Sequence, residues 1–266
     1  MCEMKGKISV RKMSILEWNI NTRSTGAPIP TFVSSEILNY DCDIIVLTEY
    51  KKDDDFTRTL SESNYNCIEN YTSDRKIYGN GIMIGIKKEV CNSISVIEDK
   101  DVQNCYNFLH IRTTFDDDSS LDIIGVRMLS PNDNIAFSVQ HLNNYVENLK
   151  KNNINFVCVG DFNIIKSKMP MWFKDVKLSS FVEPSDNNFL QEYSIVYSKE
   201  RVITGVGAVD HMFTSDNITS KIFYDWNYLL NYSIVSNLVE IGSTWNVSPP
   251  NPDHAILLGE FDILIK

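Results

Sequence analysis

The stretch that most constrains the fold runs from Val157 to Asn163 and reads VCVGDFN. A short apolar run that stops at a glycine predicts a buried strand. Side chains two residues apart on an extended chain point the same way, so Asp161 and Asn163 are expected to face one common point. A carboxylate and an amide presented together suit a hard cation or a phosphate, although Asp and Asn are also ordinary turn formers.

Two earlier strands are predicted to end in polar residues at the same edge. Ser14 to Ile20 predicts a buried strand that ends around Asn19, and Ile44 to Leu47 predicts a second strand that closes on Glu49. Between them, Thr31 to Tyr40 predicts a helix with an apolar stripe. A strand, helix and strand in this order form a parallel crossover unit, which places the C-terminal strand ends at one edge. Asn19 and Glu49 are therefore expected to come together.

The rest of the chain predicts further strands and one long helix. A polar loop is expected after Glu49, until the turn at 79–81 leads into a strand at 82–87. Two apolar runs that flank the acidic turn at 116–120 predict a hairpin. Residues 131–133 are expected to cap a helix with an apolar face from 135 to 149. Later strands are expected at 205–213 and 252–258.

Charge and composition limit the classes of protein. The chain has 266 residues, 43% of them hydrophobic, and 25 Lys and Arg against 35 Asp and Glu give a formal net charge of -10. Proteins that hold nucleic acid through phosphate contacts usually present a basic surface. Either the ligand is small, or the positive charge is local, as a bound divalent ion would make it.

Cysteine usage and hydropathy point to the cytoplasm. The six cysteines show no paired spacing, which argues against a zinc site and a disulfide framework. No apolar run is long enough to span a bilayer, and no secretory signal is visible. We expect a cytoplasmic protein that folds as one domain over residues 1–266, and no obligate protein partner is evident.

Polar residues recur at predicted strand ends along the whole chain. Each has a simple structural explanation, as a solvated strand end or a satisfied hydrogen-bond partner. Together they supply the parts that a metal-assisted phosphoester cleavage requires: carboxylates for Mg²⁺, a group that orients water, amides for phosphoryl oxygens and an imidazole that exchanges a proton. The set is Asn19, Glu49, Asp161, Asn163, Asp210, Asp253 and His254.

This set resembles the endonuclease/exonuclease/phosphatase superfamily, which contains deoxyribonuclease I. The resemblance implies an α/β fold, a four-layered sandwich of two packed mixed β-sheets flanked by helices, with the site at one edge. It is carried by short motifs in the family's order: Leu16-Glu17-Trp18-Asn19, Asp43 to Glu49, Gly160-Asp161-Phe162-Asn163, Val209 to Phe213 and Asp253-His254.

The resemblance also implies a metal site and a phosphate site. Glu49 is similar to the principal ligand for Mg²⁺, or alternatively Mn²⁺, with Asn19 nearby and Asp253 as a further ligand. Asn163 is similar to the amide that binds phosphate. Lys51 falls where family members often carry a basic phosphate contact, and a solvated loop lysine is the alternative.

The resemblance implies catalytic roles for three more residues. Asp161 is similar to the carboxylate that positions or activates water, and His254 resembles a catalytic imidazole oriented by Asp210. The adjacent His211 is expected to point to the opposite side of its strand and to have no catalytic role.

One strand departs from the family pattern. Nuclease members often carry a His or Tyr near the end of the strand that here reads GVRMLSP from Gly125, and Arg127 is the candidate replacement. A guanidinium stays charged, so it can clamp phosphate but cannot deliver a proton as imidazole does. An ion pair with an acidic residue is the structural alternative for Arg127.

The sequence therefore predicts a divalent-metal-dependent phosphoester hydrolase, first a phosphodiesterase or nuclease in which water attacks phosphorus. The alternatives are a phosphomonoesterase for a small nucleotide, sugar or lipid phosphate, and a catalytically inactive binding module of the same fold. The acidic balance favours single-stranded or short nucleic acid, or a small nucleotide, over long duplex DNA.

Overall fold

Two β-sheets carry the fold in the computed structural model, which describes residues 9–22, 28–70, 81–98, 107–128, 135–164, 168–172, 209–225, 227–234, 251–252 and 254–265. The strands are β1 Ser9–Asn19, β2 Ile44–Tyr50, β3 Tyr65–Asn70, β4 Gly81–Lys87, β5 Ser93–Val96, β6 Phe108–Thr114, β7 Ser120–Arg127, β8 Phe156–Asp161, β9 Asp210–Thr214, β10 Ile218–Asp225 and β11 Ile256–Ile265. The helices are α1 Thr31–Tyr40, α2 Asp54–Glu62, α3 Ile135–Lys151, α4 Met169–Trp172 and α5 Tyr228–Asn231.

Both sheets mix parallel and antiparallel pairing. One has six strands in the order β10-β11-β1-β2-β4-β3, and the other has five in the order β5-β6-β7-β8-β9. The central pairs β1–β2 and β7–β8 are parallel, and their neighbours run antiparallel. In each central pair the connection contains a helix, as parallel neighbours require. The predicted α/β sandwich of two mixed sheets is confirmed.

The apolar inner faces of the two sheets pack against each other. Ile82 and Val46 of the six-stranded sheet approach Gly125 of the other so closely that a Cβ at Gly125 would lie 2.8 Å from Ile82 and 3.1 Å from Val46. Alternate residues along each strand fill this layer, as the period of a strand requires. The buried inner residues include Ile15, Val46, Ile82, Ile84, Ile123, Val157, Val159 and Met212.

Helices cover the outer faces. Helix α3 places Val139, Leu142 and Val146 in a second apolar cluster with Ile124 and Cys158 of the five-stranded sheet. Helix α1 contributes Val33 and Ile37 to the cluster that contains the six-stranded sheet. Helix, sheet, sheet and helix thus form four layers. Across the part of the chain that the structure describes, no helix combines the length and apolarity needed to cross a membrane.

Several predicted elements are confirmed, and others are wrong. The helix at Thr31–Tyr40 and the hairpin of β6 and β7 are present as predicted. The polar loop expected after Glu49 instead contains α2 and β3, because the Asp53 side chain caps α2 by accepting from the Phe56 N–H. The last strand begins at Ile256 rather than 252. The turn residues 79–80 and the cap at 131–133 lie outside the described residues.

The close backbone packing at Gly160 leads to a first prediction. Gly160 has φ +150°, and a Cβ there would lie 1.9 Å from the Val126 carbonyl oxygen. We expect Gly160→Ala to lower the free energy of unfolding by about 3 kcal/mol, because the backbone of β7 must move. Gly85→Ala is the control, since its Cβ would meet Ile45 at an ordinary 3.5 Å. Urea unfolding of both variants measures this, and equal losses would contradict the prediction.

Candidate active site

The five-stranded sheet presents a row of three polar side chains where β7, β8 and β9 meet one edge. Arg127 of β7 is in register with Asp161 of β8, and Asp161 is in register with Asp210 of β9. Residues in register on neighbouring strands lie on the same face. All three are buried, and their positions continue the inner face that holds Val157 and Val159. The apolar core therefore ends directly at this row.

The six-stranded sheet presents a matching row. Asn19 ends β1, and Glu49 lies near the end of the neighbouring parallel strand β2. His254 lies two residues before β11, the other neighbour of β1. The prediction that Asn19 and Glu49 share one sheet edge is thus confirmed by the parallel β1–β2 pair.

Each residue of one row bonds to a residue of the other. Arg127 donates from Nε and Nη2 to Glu49 Oε1 at 3.1 and 2.9 Å. Asn19 Nδ2 donates to Asp161 Oδ2 at 3.0 Å, and His254 Nδ1 lies 2.8 Å from Asp210 Oδ2. We call Arg127–Glu49, Asn19–Asp161 and His254–Asp210 the inter-sheet pairs. They join the two sheets into one polar site.

Glu49 reaches this site through an irregularity of β2. Thr48 faces the inner layer, because its hydroxyl donates to Glu17 Oε1 at 3.2 Å. On a regular strand the next residue, Glu49, would face the opposite side. A register shift between Leu47 and Tyr50 and a φ of 51° at Glu49 show a β-bulge here. Bulges re-aim side chains in this way next to active sites.

Asp161 and Asn163 come together through a turn. Asn163 has φ 51°, and its backbone N–H donates to Asp161 Oδ1 at 2.8 Å. Its Nδ2 donates to Asp161 Oδ2 at 3.0 Å and to the Met128 carbonyl at 2.9 Å. The expectation of one extended segment is wrong, because the strand ends at Asp161. Asn163 holds the Asp161 carboxylate in place, and both hydrogens of its amide are used within the protein.

Glu17 is a buried carboxyl at the site that the sequence reasoning missed. It is 0% exposed, and within the described residues its Oε2 has no hydrogen-bond partner. Burial raises its pKa well above the ordinary value, and the negative charges of Asp210 and Asp161 raise it further. A signal was present, since Glu17 lies two residues before Asn19 and so shares its face of β1.

Hydrogen bonds from buried aromatic residues fix the backbone around the His254–Asp210 pair. The His254 carbonyl accepts from Trp18 Nε1 at 3.2 Å and from the Tyr228 hydroxyl at 2.9 Å. The Asp210 carbonyl accepts from the Tyr224 hydroxyl. Both members of the pair are therefore held by their main chain as well as by their side chains.

The other residues that the sequence analysis singled out are Lys51, His211 and Asp253. Lys51 is buried, and burial lowers its pKa while Asp53 opposes the shift. His211 points away from the inner layer, as expected, and its Nε2 lies 2.7 Å from the Ile164 carbonyl oxygen. Asp253 lies outside the described residues.

The donor chemistry fits a hard divalent cation. Glu17, Glu49, Asp161 and Asp210 bring buried carboxyl groups to one place, and Arg127 is the cation that pairs with one of them. Within the described residues no three His, Cys, Asp or Glu side chains form a complete metal cage. Mg²⁺ needs no such cage, because it is usually held by one or two carboxylates together with waters and substrate phosphates.

The Arg127–Glu49 pair makes the second prediction. The two side chains are only 6% and 4% exposed. Arg127→Met should lower the free energy of unfolding by about 3 kcal/mol, because it leaves a buried carboxylate without its guanidinium. Arg58→Met is the control, since Arg58 and Asp55 are 64% and 84% exposed and such pairs contribute less than about 1 kcal/mol. Chemical denaturation that found equal losses would show that the buried pair is not stabilising.

The raised pKa of Glu17 predicts how the stability of the protein changes with pH. Its folded-state pKa is raised, so the folded protein keeps a proton that the unfolded chain releases above the ordinary value of 4.5. The free energy of unfolding therefore falls as pH rises from 4.5 toward the folded pKa. Glu17→Gln has no such proton and should lose less stability between pH 5 and pH 8. Urea unfolding in a chelating buffer measures this, and parallel losses in both proteins would contradict it.

Several solved structures have the same two-sheet fold. Truncated TDP2 from Caenorhabditis elegans has a TM-score of 0.56 at 14% identity, covering 94% of this chain and 97% of that one. ANGEL2, a 2′,3′-cyclic phosphatase, has a TM-score of 0.60 at 14% identity, covering 98% and 99%. An AP endonuclease from Archaeoglobus fulgidus has a TM-score of 0.59 at 14% identity, covering 93% and 98%. Such identities show the fold alone. No curated protein sequence matches the chain significantly.

The sequence itself matches a family. The model of the Endonuclease/Exonuclease/phosphatase family matches residues 16–233, which include Asn19, Glu49, Arg127, Asp161 and Asp210. The match covers most of the chain, and its two-sheet fold is that of the structural neighbours. The chain therefore belongs to the Endonuclease/Exonuclease/phosphatase family.

Proposed function

We propose that the protein is a divalent-metal-dependent phosphoester hydrolase that cleaves phosphodiesters by attack of water at phosphorus. The observation that carries the proposal is the set of inter-sheet pairs, which brings an acid–base dyad, a fixed carboxylate and a guanidinium to one buried edge. A protein of this fold that served only as a binding module would have no need of a His–Asp dyad in register with a second carboxylate.

The His254–Asp210 pair supplies proton transfer. With Nδ1 bonded to Asp210, the other ring nitrogen, Nε2, is the one that exchanges a proton with substrate. The carboxylate also stabilises the imidazolium when the ring is protonated. Because the backbone of both residues is fixed by buried aromatic donors, the dyad is preorganised before substrate arrives.

Asp161 is the candidate that orients the attacking water. Asn19 and Asn163 donate to its oxygens, so the carboxylate cannot rotate without breaking several hydrogen bonds. A carboxylate that is fixed in this way can accept a hydrogen bond from water and hold it in line with phosphorus. Asn163 acts in this proposal by holding Asp161.

Glu49 and Asn19 would hold the metal ion, and Asp253 would be a further ligand. The ion would supply positive charge to the phosphoryl oxygens when bound. Arg127 provides a second, permanent positive charge beside Glu49 that can stabilise the negative charge of the transition state. It has no proton to give at neutral pH, so the dyad carries the proton transfer.

The substrate class follows from charge. A protein with a formal net charge of -10 repels a long polyanion outside the immediate site. We therefore favour a small nucleotide diester or a short single-stranded nucleic acid. Binding of such a substrate should depend weakly on salt, whereas duplex binding through several phosphates weakens steeply as salt rises. ANGEL2, which has the same fold, is a 2′,3′-cyclic phosphatase, so a 2′,3′-cyclic nucleotide belongs among the first substrates to test.

Hydrolysis of bis(p-nitrophenyl) phosphate beside p-nitrophenyl phosphate tests the proposal. With Mg²⁺ or Mn²⁺ the parent should cleave the diester, and Glu49→Gln should lose most of this turnover because a carboxylate ligand becomes an amide. Cleavage of the monoester alone would replace the diesterase with a phosphomonoesterase. If neither ester is cleaved and calorimetry shows no divalent binding that Glu49→Gln abolishes, the protein is a binding module.

The proposed role of the His254–Asp210 pair can be tested by mutation, with a matched control pair elsewhere in the protein. His254→Gln should lower kcat by at least about 100-fold, the usual contribution of general acid–base catalysis. His110 and Asp122 form a similar buried pair, with 2.9 Å between Nε2 and Oδ2, on the outer face of the five-stranded sheet. His110→Gln should cost stability but keep the parent's kcat where it is folded. Steady-state kinetics in which both variants lose kcat equally would remove the catalytic role of His254.

A further inference from the structure

Glu49 occupies a backbone conformation that its residue type disfavours. Its φ of 51° lies in the left-handed region, where a side chain with a Cβ is strained. It is neither Gly nor Asn, the residues that enter this region most readily. Strain of this kind persists only where surrounding contacts enforce it, and it is found at functional sites. The structure should therefore contain a contact that holds Glu49 in place.

Thr22 makes that contact. Its backbone N–H donates to the Glu49 carbonyl at 3.3 Å, and its hydroxyl donates to the same carbonyl oxygen. Thr22 is 0% exposed and Glu49 is 3% exposed, so this hydrogen bond is shielded from solvent. The bulge interrupts the regular pairing of β2 with β4, and Thr22 supplies donors to the carbonyl at this point.

The chain just after β1 is shaped to deliver Thr22 to this place. Ile20 extends the parallel ladder by donating from its N–H to the Thr48 carbonyl at 3.1 Å. Asn21 then turns the chain with φ 51°, and its N–H donates to Asn19 Oδ1 at 3.0 Å. The same short segment therefore orients Asn19 and anchors the bulge that carries Glu49.

We propose that Thr22 is a positioning residue that holds the Glu49 bulge and so keeps the Glu49 carboxylate turned toward the five-stranded sheet. Without the hydroxyl only the 3.3 Å hydrogen bond from the Thr22 backbone N–H remains on this carbonyl. The backbone of Glu49 then relaxes toward the extended conformation, which turns the side chain away from Arg127. Its consequence for metal binding and catalysis rests on the proposed function, whereas its consequence for the backbone does not.

The first experiment compares Thr22→Val and Thr22→Ser with Thr113→Val. Thr113 is a matched control, because it is also buried and its hydroxyl also donates to a backbone carbonyl, that of Leu121, at 3.1 Å. Calorimetry with Mn²⁺ alone should show the dissociation constant raised about tenfold or more in Thr22→Val, as loss of a group that orients a metal ligand does. Thr22→Ser and Thr113→Val should keep the parent's affinity, although Thr113→Val loses stability.

A second experiment needs neither metal nor activity. In the parent background Glu49→Gly should unfold at higher urea than Glu49→Ala, because glycine adopts the left-handed conformation without strain. In the Thr22→Val background, where the bulge has relaxed, that difference should vanish or reverse, because glycine weakens an extended strand.

The two experiments separate the possible failures. If the parent binds no Mn²⁺, the proposed function fails and the urea comparison still decides the role of Thr22. A Gly advantage that is unchanged in the Thr22→Val background overturns the proposal. So does an unchanged Mn²⁺ affinity of Thr22→Val when the parent binds the ion.

Discussion

The structure depends on the hydrogen bonds and ion pairs that connect the two sheets at the edge where both carry buried charged side chains. Removing a carboxylate or a guanidinium from water is costly unless a partner takes its place. Three strands of the five-stranded sheet therefore each supply a partner for the facing strand of the six-stranded sheet: β7 for β2, β8 for β1 and β9 for β11. This pairing fixes the lateral position of one sheet over the other, which apolar packing alone leaves freer, because hydrogen bonds have direction and hydrophobic contacts do not.

The same constraint explains why the core ends abruptly. Along β8 the inner face holds Val157 and Val159 and then Asp161, with no intervening polar layer that water could enter. The charged side chains of the site therefore lie directly against the rigid apolar core. Electrostatic interactions next to this core are stronger than in water, because the surrounding dielectric is low. Precise positions of the charged groups follow from packing below them rather than from loops around them.

The sequence predicted the residues of this edge better than their geometry. Strand periodicity and the parallel crossover rule were enough to bring Asn19 and Glu49 to one edge, because both arguments depend only on chain direction. The bulge at Glu49 was beyond prediction, since a single extra residue is specified by tertiary hydrogen bonds and not by local pattern. Glu17 lies two residues before Asn19 and so was predictable on the same face of the strand. It was missed because a single Glu in an apolar run resembles a solvated strand residue. Asp53 is also a typical N-cap residue, but the acidic residues that follow it led to the prediction of a polar loop.

The arginine at the end of β7 follows from the charges that face it. A histidine at this position would compensate the buried Glu49 carboxylate only while it held its proton, because imidazole exchanges a proton near neutral pH. Arg127 stays charged throughout the physiological range, so it stabilises the resting site as well as any negative charge that develops there. A tyrosine could donate one hydrogen bond but no charge. Under the proposed function, the arginine at this position stays a permanent cation and leaves proton transfer to His254.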